Sequence, residues 1–248
     1  MLSPKVNKLY KYKRFDEYSL RMLLNNEIWF SKPSSFNDPF DCALNPASPK
    51  TSEDNRHQLF EIIDRLCSPE ESKIKKDKIL LENKGKETLK VQDEKVLEYF
   101  EEAKDIGILS LSEKNDSILM WSHYADNHEG FCIEFAREDN AQNILSHHMC
   151  RPVQYVTNYP NLNRVTHLEE VNVYTKAKEW EYEAEWRLVS KEGNVLIPMS
   201  AQITGIIFGL KACDESIKTI KNTLKGKDIK FYKAKRKSGQ FALKIVAV

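Results

Sequence analysis

Short apolar runs separated by polar turns recur along the chain and predict many short β-strands. The runs lie at 9–12, 28–30, 107–112, 131–135, 153–156, 203–209, 229–234 and 241–248. Segments with helical spacing are interspersed among them irregularly, without a one-for-one alternation of strand and helix. This arrangement predicts an α+β fold with mixed, mainly antiparallel sheets of short strands.

Three helices are predicted from a polar capping residue followed by apolar positions at helical spacing. Asp16 precedes the first of them, and Asp214 precedes an amphipathic helix over residues 215–224. Between these two, Asn115 or Asp116 can cap a short helix that ends before the strand at 131.

The segment from about 51 to 105 is richer in Lys and Glu than the rest of the chain. Its apolar residues form two helical stripes, Leu59, Ile62, Ile63 and Leu66, and then Val96, Leu97 and Phe100. Because acidic residues are mixed with its lysines, we interpret the segment as solvated helices rather than a nucleic-acid surface. We therefore predict a single domain, residues 1–248, with a helical insertion at about 51–105.

Composition narrows the classes of function. The 248 residues carry a formal net charge of +1, so no strong overall field attracts nucleic acid or anionic lipid. The five cysteines are widely spaced and form no CxxC or Cys/His cluster, which favours reduced thiols over a structural zinc site. No apolar run is long enough to span a bilayer, and the N-terminus lacks the features of a signal peptide. We expect a cytoplasmic protein with no membrane partner.

The stretch TKAKEWEYEAEWRL, residues 175–188, places charge where a core strand would be apolar. Interpreted as a β-strand, it puts Glu183, Glu185 and Arg187 on one face and apolar side chains on the other. An exposed edge strand with a Glu/Arg pair would explain the pattern without any function. Polar motifs elsewhere in the chain favour a functional site.

One such motif is the loop SKPSSFNDPFD, residues 31–41, which combines turn-forming residues with two phenylalanines. Because Phe36 and Phe40 must find apolar cover, we expect Asn37 and Asp38 to be buried at the wall of the site. A residue that precedes a proline is restricted to extended backbone, so the Asp38 side chain can bind nearby backbone amides.

A second motif is MWSHYA in the short helix before residue 131. Trp121 and Tyr124 are three residues apart and share a helix face, whereas His123 is turned away from them. We expect all three on one side of the cleft that contains the glutamates. His123 and His128 could form a metal pair, but a third ligand is not evident, and a hydrogen-bonding histidine at the cleft mouth is the better interpretation.

Familiar catalytic signatures are missing. The sequence has no GxGxxG after a strand, no P-loop and no GxSxG, which argues against Rossmann enzymes, P-loop NTPases and α/β-hydrolases. Aromatic, amide and carboxylate groups remain. Carboxylates beside aromatic rings suit chemistry at a sugar carbon, because a fixed carboxylate stabilises an oxocarbenium-like transition state. With nicotinamide as the leaving group, NAD would be consumed as a substrate.

A series of motifs resembles a known family. In chain order these are LYKY, WFSKPSSFNDPFD, SLSEKNDSILMWSHYADNHEGFCIEF, VQY, YEAEWRL and IIFG. They are similar to the motifs of the bacterial and phage family called domain of unknown function twenty-nine seventy-one. The resemblance spans nearly the whole chain apart from the charged insertion. Its motif order also resembles that of ADP-ribosyltransferases, in which the second glutamate of a late ExE motif is catalytic.

The resemblance to the transferases implies residue roles. The matching positions are Lys11 or Tyr12 at the first motif, Ser31 with Ser34 and Ser35 at the second, and Glu183 with Glu185 at the third. Glu185 would be the catalytic carboxylate, and Glu183 would position the acceptor or a water. Lys176 or Arg187 would hold phosphate or keep the glutamates ionised. The first motif departs from the transferase pattern, since it has no clear His or Arg unless Arg14 serves.

The implied activity is ADP-ribose transfer from NAD, or NAD glycohydrolysis, in a toxin or phage-defence effector. NAD is then a substrate, no separate cofactor is needed, and the acceptor is an unknown protein or nucleic acid. The family's other polar residues have no counterpart in the transferase pattern and are assigned to substrate binding. They are Asn37, Asp38, Trp121, His123 and Tyr124.

Two other functions stay open. A metal-dependent nuclease or phosphoesterase could hold magnesium with Asp38, Asp41, Glu183 and Glu185. Arg187, however, stands where a restriction-type site would have lysine. A non-catalytic binding module would use the polar motifs only to brace loops. Glu185→Gln should separate these functions, because it is predicted to abolish catalysis and leave the melting temperature nearly unchanged.

Overall fold

A computed structural model gives the fold of residues 6–42, 50–52, 56–85, 88–90, 105–138, 140, 142–158 and 168–248. The second apolar stripe of the predicted insertion, Val96, Leu97 and Phe100, lies outside the described residues.

Strands form at each of the predicted apolar runs. The strands of the described residues, which include others besides these, are β1 (Lys8–Lys13), β2 (Glu27–Phe30), β3 (Lys50–Ser52), β4 (Thr88–Lys90), β5 (Gly107–Ser112), β6 (Phe131–Ala136), β7 (Cys150–Pro152), β8 (Gln154–Val156), β9 (Thr175–Ala177), β10 (Glu185–Ser190), β11 (Val195–Pro198), β12 (Ile203–Phe208), β13 (Lys230–Arg236) and β14 (Leu243–Ala247). The α-helices are α1 (Glu17–Asn25), α2 (Arg56–Leu66), α3 (Pro69–Glu82), α4 (Ile118–Tyr124), α5 (Leu168–Tyr174) and α6 (Asp214–Thr223). Short 3-10 helices cover Pro33–Ser35, Ile144–Ser146 and Lys178–Glu183.

The helix caps confirm one prediction and correct two. Asp16 caps α1, since its side chain accepts a hydrogen bond from the backbone N–H of Ser19. The cap of α4 is Ser117 instead of Asn115 or Asp116, and the cap of α6 is Cys213. In both corrected cases the helix begins within two residues of the predicted cap, because neighbouring polar side chains compete for the same backbone donors.

The main sheet has eight strands in the order β14-β13-β12-β6-β1-β5-β10-β7. Its neighbouring strands are antiparallel except β12 and β13, which are parallel and lie on either side of α6 in the chain. Two-stranded sheets are formed by β2 with β11, β3 with β4, and β8 with β9. This mixed, mainly antiparallel arrangement confirms the predicted α+β class.

Apolar layers cover both faces of the main sheet. On one face, Leu9 and Phe131 belong to a core shared with α1, α6 and the β2–β11 pair. On the other face, Tyr12 packs edge-on against Trp121 of α4, with ring centroids 5.1 Å apart. Because side chains alternate along β1, consecutive residues of that strand serve different cores.

The sheet opens between β1 and β5. β1 pairs with β6 from Lys8 to Lys13 but with β5 only at Tyr10, opposite Ser112. In the described residues, the second half of β1 therefore has no ladder partner on its β5 side. The side chain of Lys11 reaches across the gap, where its Nζ donates to the backbone oxygen of Ser110 at 2.7 Å. The backbone N–H and C=O groups that lack a ladder partner at this gap, together with the polar side chains nearby, make the gap polar.

Helices α2 and α3 lie within the predicted insertion and pack on each other. Leu59, Ile62, Ile63 and Ile79 form an apolar cluster of their own, separate from the two clusters on the main sheet. The burial of the first three of these residues agrees with the predicted stripe.

Candidate active site

A cavity of about 380 Å³ lies where β1 and β5 separate. Its wall includes parts of β1, the loop after β2, β5, α4, β9 and the beginning of β10. The charged groups of the wall are Lys11, Lys176, Asp41, Glu183 and Glu185. Its hydroxyl, imidazole and amide groups are Tyr10, Tyr12, Tyr124, Ser31, Ser35, Ser110, Ser112, His123 and Asn37. This volume is within the usual range for sites that bind small molecules, about 300–1,000 Å³.

The two glutamates do not share one strand, contrary to the prediction. Residues Lys178–Glu183 form a 3-10 helix, Ala184 has left-handed backbone with a φ of 43°, and β10 begins at Glu185. The turn redirects the chain, so both carboxylates still reach the same cavity. The hydroxyl of Ser112 donates to the carbonyl oxygen of Glu183 and holds the turn against β5. β10 lies between β5 and β7, so it is not an exposed edge strand.

Lys176, on β9, binds three carboxylates from one position. Its Nζ lies 2.6 Å from Glu183 Oε2, 3.1 Å from Glu185 Oε2 and 3.4 Å from Asp41 Oδ2. An ammonium group has three protons, so one can point at each carboxylate. The negative charge around Lys176 raises its pKa, against the opposing effect of burial. Lys176 is therefore a fixed cation of the site.

Arg187 is fully buried behind the carboxylates and does not line the cavity. Its Nε lies 2.9 Å from Glu185 Oε1, and its Nη2 lies 3.0 Å from Glu185 Oε2 and 2.6 Å from Asp41 Oδ2. Its Nη1 donates to the backbone oxygen of Val173 at 2.7 Å. The N–H groups of the guanidinium therefore bind acceptors within the protein. Arg187 is placed to keep the carboxylates ionised and not to hold a substrate phosphate.

Adjacent glutamates have opposite pKa shifts. Burial alone would raise the pKa of Glu185, but the charges of Arg187 and Lys176 outweigh it and lower this pKa to about 2. Burial raises the pKa of Glu183, although Lys176 and the hydroxyl of Tyr124 oppose the shift. A pair of carboxylates whose pKa values are driven apart is the arrangement expected when the two have different catalytic roles.

Lys11 is the cation of the wall that has no carboxylate within ion-pair distance among the described residues. Burial and the neighbouring charge of Lys13 lower its pKa to about 7, although Glu185 and Glu183 oppose the shift. An amine with this pKa is present in substantial amounts in both protonation states at neutral pH. It can bind an anion in one state and act as a base or nucleophile in the other.

The aromatic residues of α4 are divided between the wall of the cavity and the hydrophobic core. Tyr124 lies on the cavity wall and donates its hydroxyl proton to Glu183 Oε1 at 2.6 Å, and the exposed His123 also lines the wall. Trp121 does not line the cavity. It is fully buried, and its indole N–H donates to the backbone oxygen of Asn115 at 2.8 Å. The prediction that Trp121 lines the cleft is therefore wrong, because the shared helix face that reaches Tyr124 also packs on the sheet.

Tyr12 and Ser31 both line the cavity but are held by structural hydrogen bonds. The hydroxyl of Tyr12 donates to the backbone oxygen of Lys114 at 2.8 Å. The backbone of Ser31 exchanges two hydrogen bonds with Ile108, which anchors the loop after β2 to β5. Ser35 reaches the wall, whereas Ser34, which the motif comparison also included, is exposed and does not line the cavity.

The loop after β2 follows the prediction only in part. Asp38 is buried and its carboxylate accepts from the backbone N–H of Phe40 at 2.9 Å, which is the expected local bond. Asn37 lines the cavity but is exposed, whereas Asp38 is buried but does not line the cavity, so the prediction that both are buried at its wall is wrong for each of them. Phe40 is 64% exposed. The apolar cover available in this loop is used by Phe36, whose ring lies 5.6 Å from the Arg187 guanidinium.

Asp41 is the residue whose importance the motif comparison missed. The sequence indicates it only as a magnesium ligand, yet it binds both Lys176 and Arg187 and lines the cavity. Its partners lie more than a hundred residues away in the sequence, so the signal available was its place at the end of the FNDPFD motif. Ser110 and Ser112 were also missed, because they appeared only as polar positions of a buried strand.

The carboxylates of the site are bound by cations of the protein itself. Among the residues that the structure describes, no three or more His, Cys, Asp or Glu side chains are grouped so that they could hold a metal ion. Lys176 and Arg187 each bind both Asp41 and Glu185, so these carboxylates are already paired with cations of the protein. His128 contacts Ser122 and stacks beside Trp121, and it does not line the cavity with His123.

Comparison with family models gives a match over residues 120–188 to the family described as "Protein of unknown function (DUF2971)". It confirms the resemblance to that family for the motifs within this segment, and it does not extend to the ADP-ribosyltransferases. That segment contains α4 from Met120 onward and both glutamates. No curated protein and no solved structure matches the chain. Within the described part of the chain, none of the helices has the length and apolar character needed to cross a bilayer.

Proposed function

We propose that the cavity binds the nicotinamide ribose end of NAD and breaks its N-glycosidic bond, passing ADP-ribose to water or to a macromolecular acceptor. The observation that carries this proposal is the pair of buried carboxylates on the wall, one held as an anion and the other with a raised pKa. Cleavage of a bond at a sugar carbon needs one carboxylate of each kind. The cation that develops on the ribose requires an anion, and the attacking group requires a base.

Glu185 supplies the anion. Arg187 and Lys176 keep it ionised, and β10 fixes its position in the cavity. As the bond between ribose C1′ and the nicotinamide nitrogen breaks, the bonding electrons leave with nicotinamide, which becomes neutral. The positive charge that remains on the ribose is stabilised by the Glu185 carboxylate.

Glu183 serves the attacking group. A water or a hydroxyl of the acceptor forms the new bond to C1′ and loses its proton to the Glu183 carboxylate. A raised pKa makes this carboxylate a better base than an ordinary glutamate. Tyr124 and Lys176 hold its two oxygens in place, and the exposed His123 and Asn37 line the same wall, where an acceptor can enter.

The first experiment mixes the purified chain with NAD and measures nicotinamide release with and without EDTA. We expect release that EDTA does not change. Glu185→Gln should lower the rate by about 10³-fold or more, because the charge that stabilises the transition state is lost while the shape is kept. Glu183→Gln should lower the rate by about 10²-fold or more, as expected for losing a general base.

Glu179→Gln is the matched control, since Glu179 is an exposed glutamate on the same 3-10 helix as Glu183. It should keep the wild-type rate. Magnesium-dependent cleavage of nucleic acid without nicotinamide release would support a nuclease. Absence of both activities would support a binding module.

The structure changes the expected stability of Glu185→Gln. Glu185 makes two hydrogen bonds to the buried guanidinium of Arg187, so we expect the variant to lose stability instead of keeping a nearly unchanged melting temperature. Glutamine can keep one hydrogen-bonding contact but not the charge, and a loss of about 1–3 kcal/mol is expected. Rates should therefore be compared at temperatures where circular dichroism shows every variant folded.

A toxin or effector role is part of the same proposal. If the chain consumes NAD in cells, its expression in bacteria should lower the NAD pool and stop growth, and Glu185→Gln should remove both effects. Growth arrest at an unchanged NAD level would point to another target.

A further inference from the structure

A second concave surface, which we call the α1 groove, lies between α1 and the β2–β11 pair. Its volume is about 390 Å³. The residues that line it include Lys13, Tyr18, Arg21, Glu27, Trp29 and Leu196. Tyr18 is 81% exposed and Trp29 is 42% exposed. Exposed aromatic rings in a groove are suitable platforms for stacking a nucleobase, which contributes about 1–3 kcal/mol per base in known sites.

The α1 groove also carries cations. None of the ion pairs between described residues involves Lys13 or Arg21. Glu27 is the acidic residue of the lining and faces the amide of Asn25 at 3.4 Å. Two cations that lack a carboxylate partner and one acid leave the groove complementary to a phosphate group.

The cavity and the groove are lined by neighbouring positions of β1. Lys11 lines the cavity and Lys13 lines the groove, and both belong to the half of β1 that has no β5 partner in the described residues. Two residues along a strand span about 7 Å. The charge of Lys13 contributes to lowering the pKa of Lys11, as expected for two lysines this close on one face of a strand.

The charges of the cavity bear on where a diphosphate can lie. Its three carboxylates, Asp41, Glu183 and Glu185, are paired with Lys176 and Arg187, which leaves Lys11 as the wall cation without an ion pair among the described residues. A dinucleotide with its nicotinamide ribose beside these carboxylates would therefore place its phosphates away from them. Lys11 and then Lys13 are the neighbouring cations.

We propose that the α1 groove binds the adenosine phosphate half of NAD, with the adenine stacked on Trp29 or Tyr18 and the phosphates beside Lys13 and Arg21. This inference rests on the proposed function, because the same dinucleotide would extend from the cavity into the groove. It adds a binding site on α1 and β2, outside residues 120–188, which match the family.

The test measures AMP binding to the full chain by calorimetry, separately from nicotinamide release. Trp29→Ala and Lys13→Gln should each weaken AMP binding by about tenfold or more, as expected for losing a stacking or phosphate contact. Phe241→Ala and Lys235→Gln remove an exposed aromatic ring and an exposed lysine outside the groove, and both should bind AMP like the wild type. In the NAD assay, the two groove variants should raise KM and change kcat little.

Failure of this inference and failure of the proposed function give different results. If Trp29→Ala loses AMP binding while the wild type releases no nicotinamide, the groove is a nucleotide site and the cavity chemistry is wrong. If nicotinamide is released with the same KM in Trp29→Ala, Lys13→Gln and the wild type, the cavity chemistry stands and the groove proposal is overturned. Binding of a single-stranded oligothymidine without binding of AMP would also overturn it, in favour of a nucleic-acid strand.

Discussion

At the scale of single residues, the site depends on what surrounds each ionisable group. Glu185 is held by a guanidinium and an ammonium group, whereas Glu183 shares the ammonium with Tyr124. The same carboxyl group therefore has a lowered pKa in one position and a raised pKa in the other. Truncating Arg187 would leave Glu185 and Asp41 buried without their main cation, a change that commonly costs about 3–5 kcal/mol.

Lys11 offers a test of this electrostatic description. Burial lowers its pKa from 10.5 to about 7, so its ammonium group loses a proton as the pH rises through 7. The neutral amine is the reactive form, and Lys11 should therefore acetylate with a midpoint near pH 7. Ordinary lysines, with a pKa of about 10.4, remain almost wholly protonated there. Peptide mass spectrometry after brief acetic anhydride treatment over pH 5 to 10 measures this.

The Lys11→Met variant provides the control, because the peptide that reacts near neutral pH should disappear in it. A midpoint near 10 for Lys11 would mean that its amine is solvated like a surface lysine and that the gap between β1 and β5 is open to water. NAD should protect Lys11 from acetylation if the ligand occupies the cavity.

At the scale of elements, the junction between the 3-10 helix Lys178–Glu183 and β10 decides the shape of the site. Ala184 adopts a left-handed conformation there, which costs a non-glycine residue about 1–2 kcal/mol. The turn is held by Ser112 and by the bond from the Glu113 N–H to the oxygen of Ala184 at 3.0 Å. This strained residue allows two glutamates on different elements to face one cavity.

We predict different effects for two substitutions at Ala184. Ala184→Gly should keep stability within about 1 kcal/mol of the wild type and keep nicotinamide release, because glycine accepts a positive φ. Ala184→Val should lose about 1–3 kcal/mol and most of the activity, since a β-branched residue resists this conformation and displaces Glu183. Urea unfolding and the NAD assay measure both. Equal behaviour of the two variants would show that the turn does not position the glutamates.

At the scale of the whole molecule, the site is assembled by a sheet whose strands come from distant parts of the chain. The segment that matches the family, residues 120–188, includes β6, which pairs with β1 and β12, and the start of β10, which pairs with β5. These partner strands lie outside the matched segment. The segment therefore lacks the strands that complete its hydrogen bonding.

The α2–α3 pair has an apolar core of its own. Its apolar cluster, which includes Leu59 and Ile79, is separate from the clusters on the sheet. Replacing residues 50–90 with a short Gly/Ser linker should therefore leave cooperative thermal unfolding and AMP binding in place, because loop length has a small entropic cost. Circular dichroism and calorimetry measure the two properties. Loss of cooperative unfolding would show that the helices support the sheet and would contradict the predicted insertion.

The sequence by itself determined the fold class, the strands at the eight apolar runs, the resemblance of residues 120–188 to a family and several of the residues around which the site is built. These features follow from local periodicity and from motifs that are continuous in the chain. Glu183, Glu185, Lys176 and Tyr124 were assigned to the site and lie on its wall.

Only the tertiary structure decided how these groups are arranged. Periodicity of two placed Glu183 and Glu185 on one strand, and it could not reveal the turn at Ala184, which depends on bonds to β5. It also could not place Trp121 in the core or Arg187 behind the carboxylates. Arg187 and Asp41 are separated by 146 positions in the chain, and a contact of that kind exists only when the sheet brings its strands together.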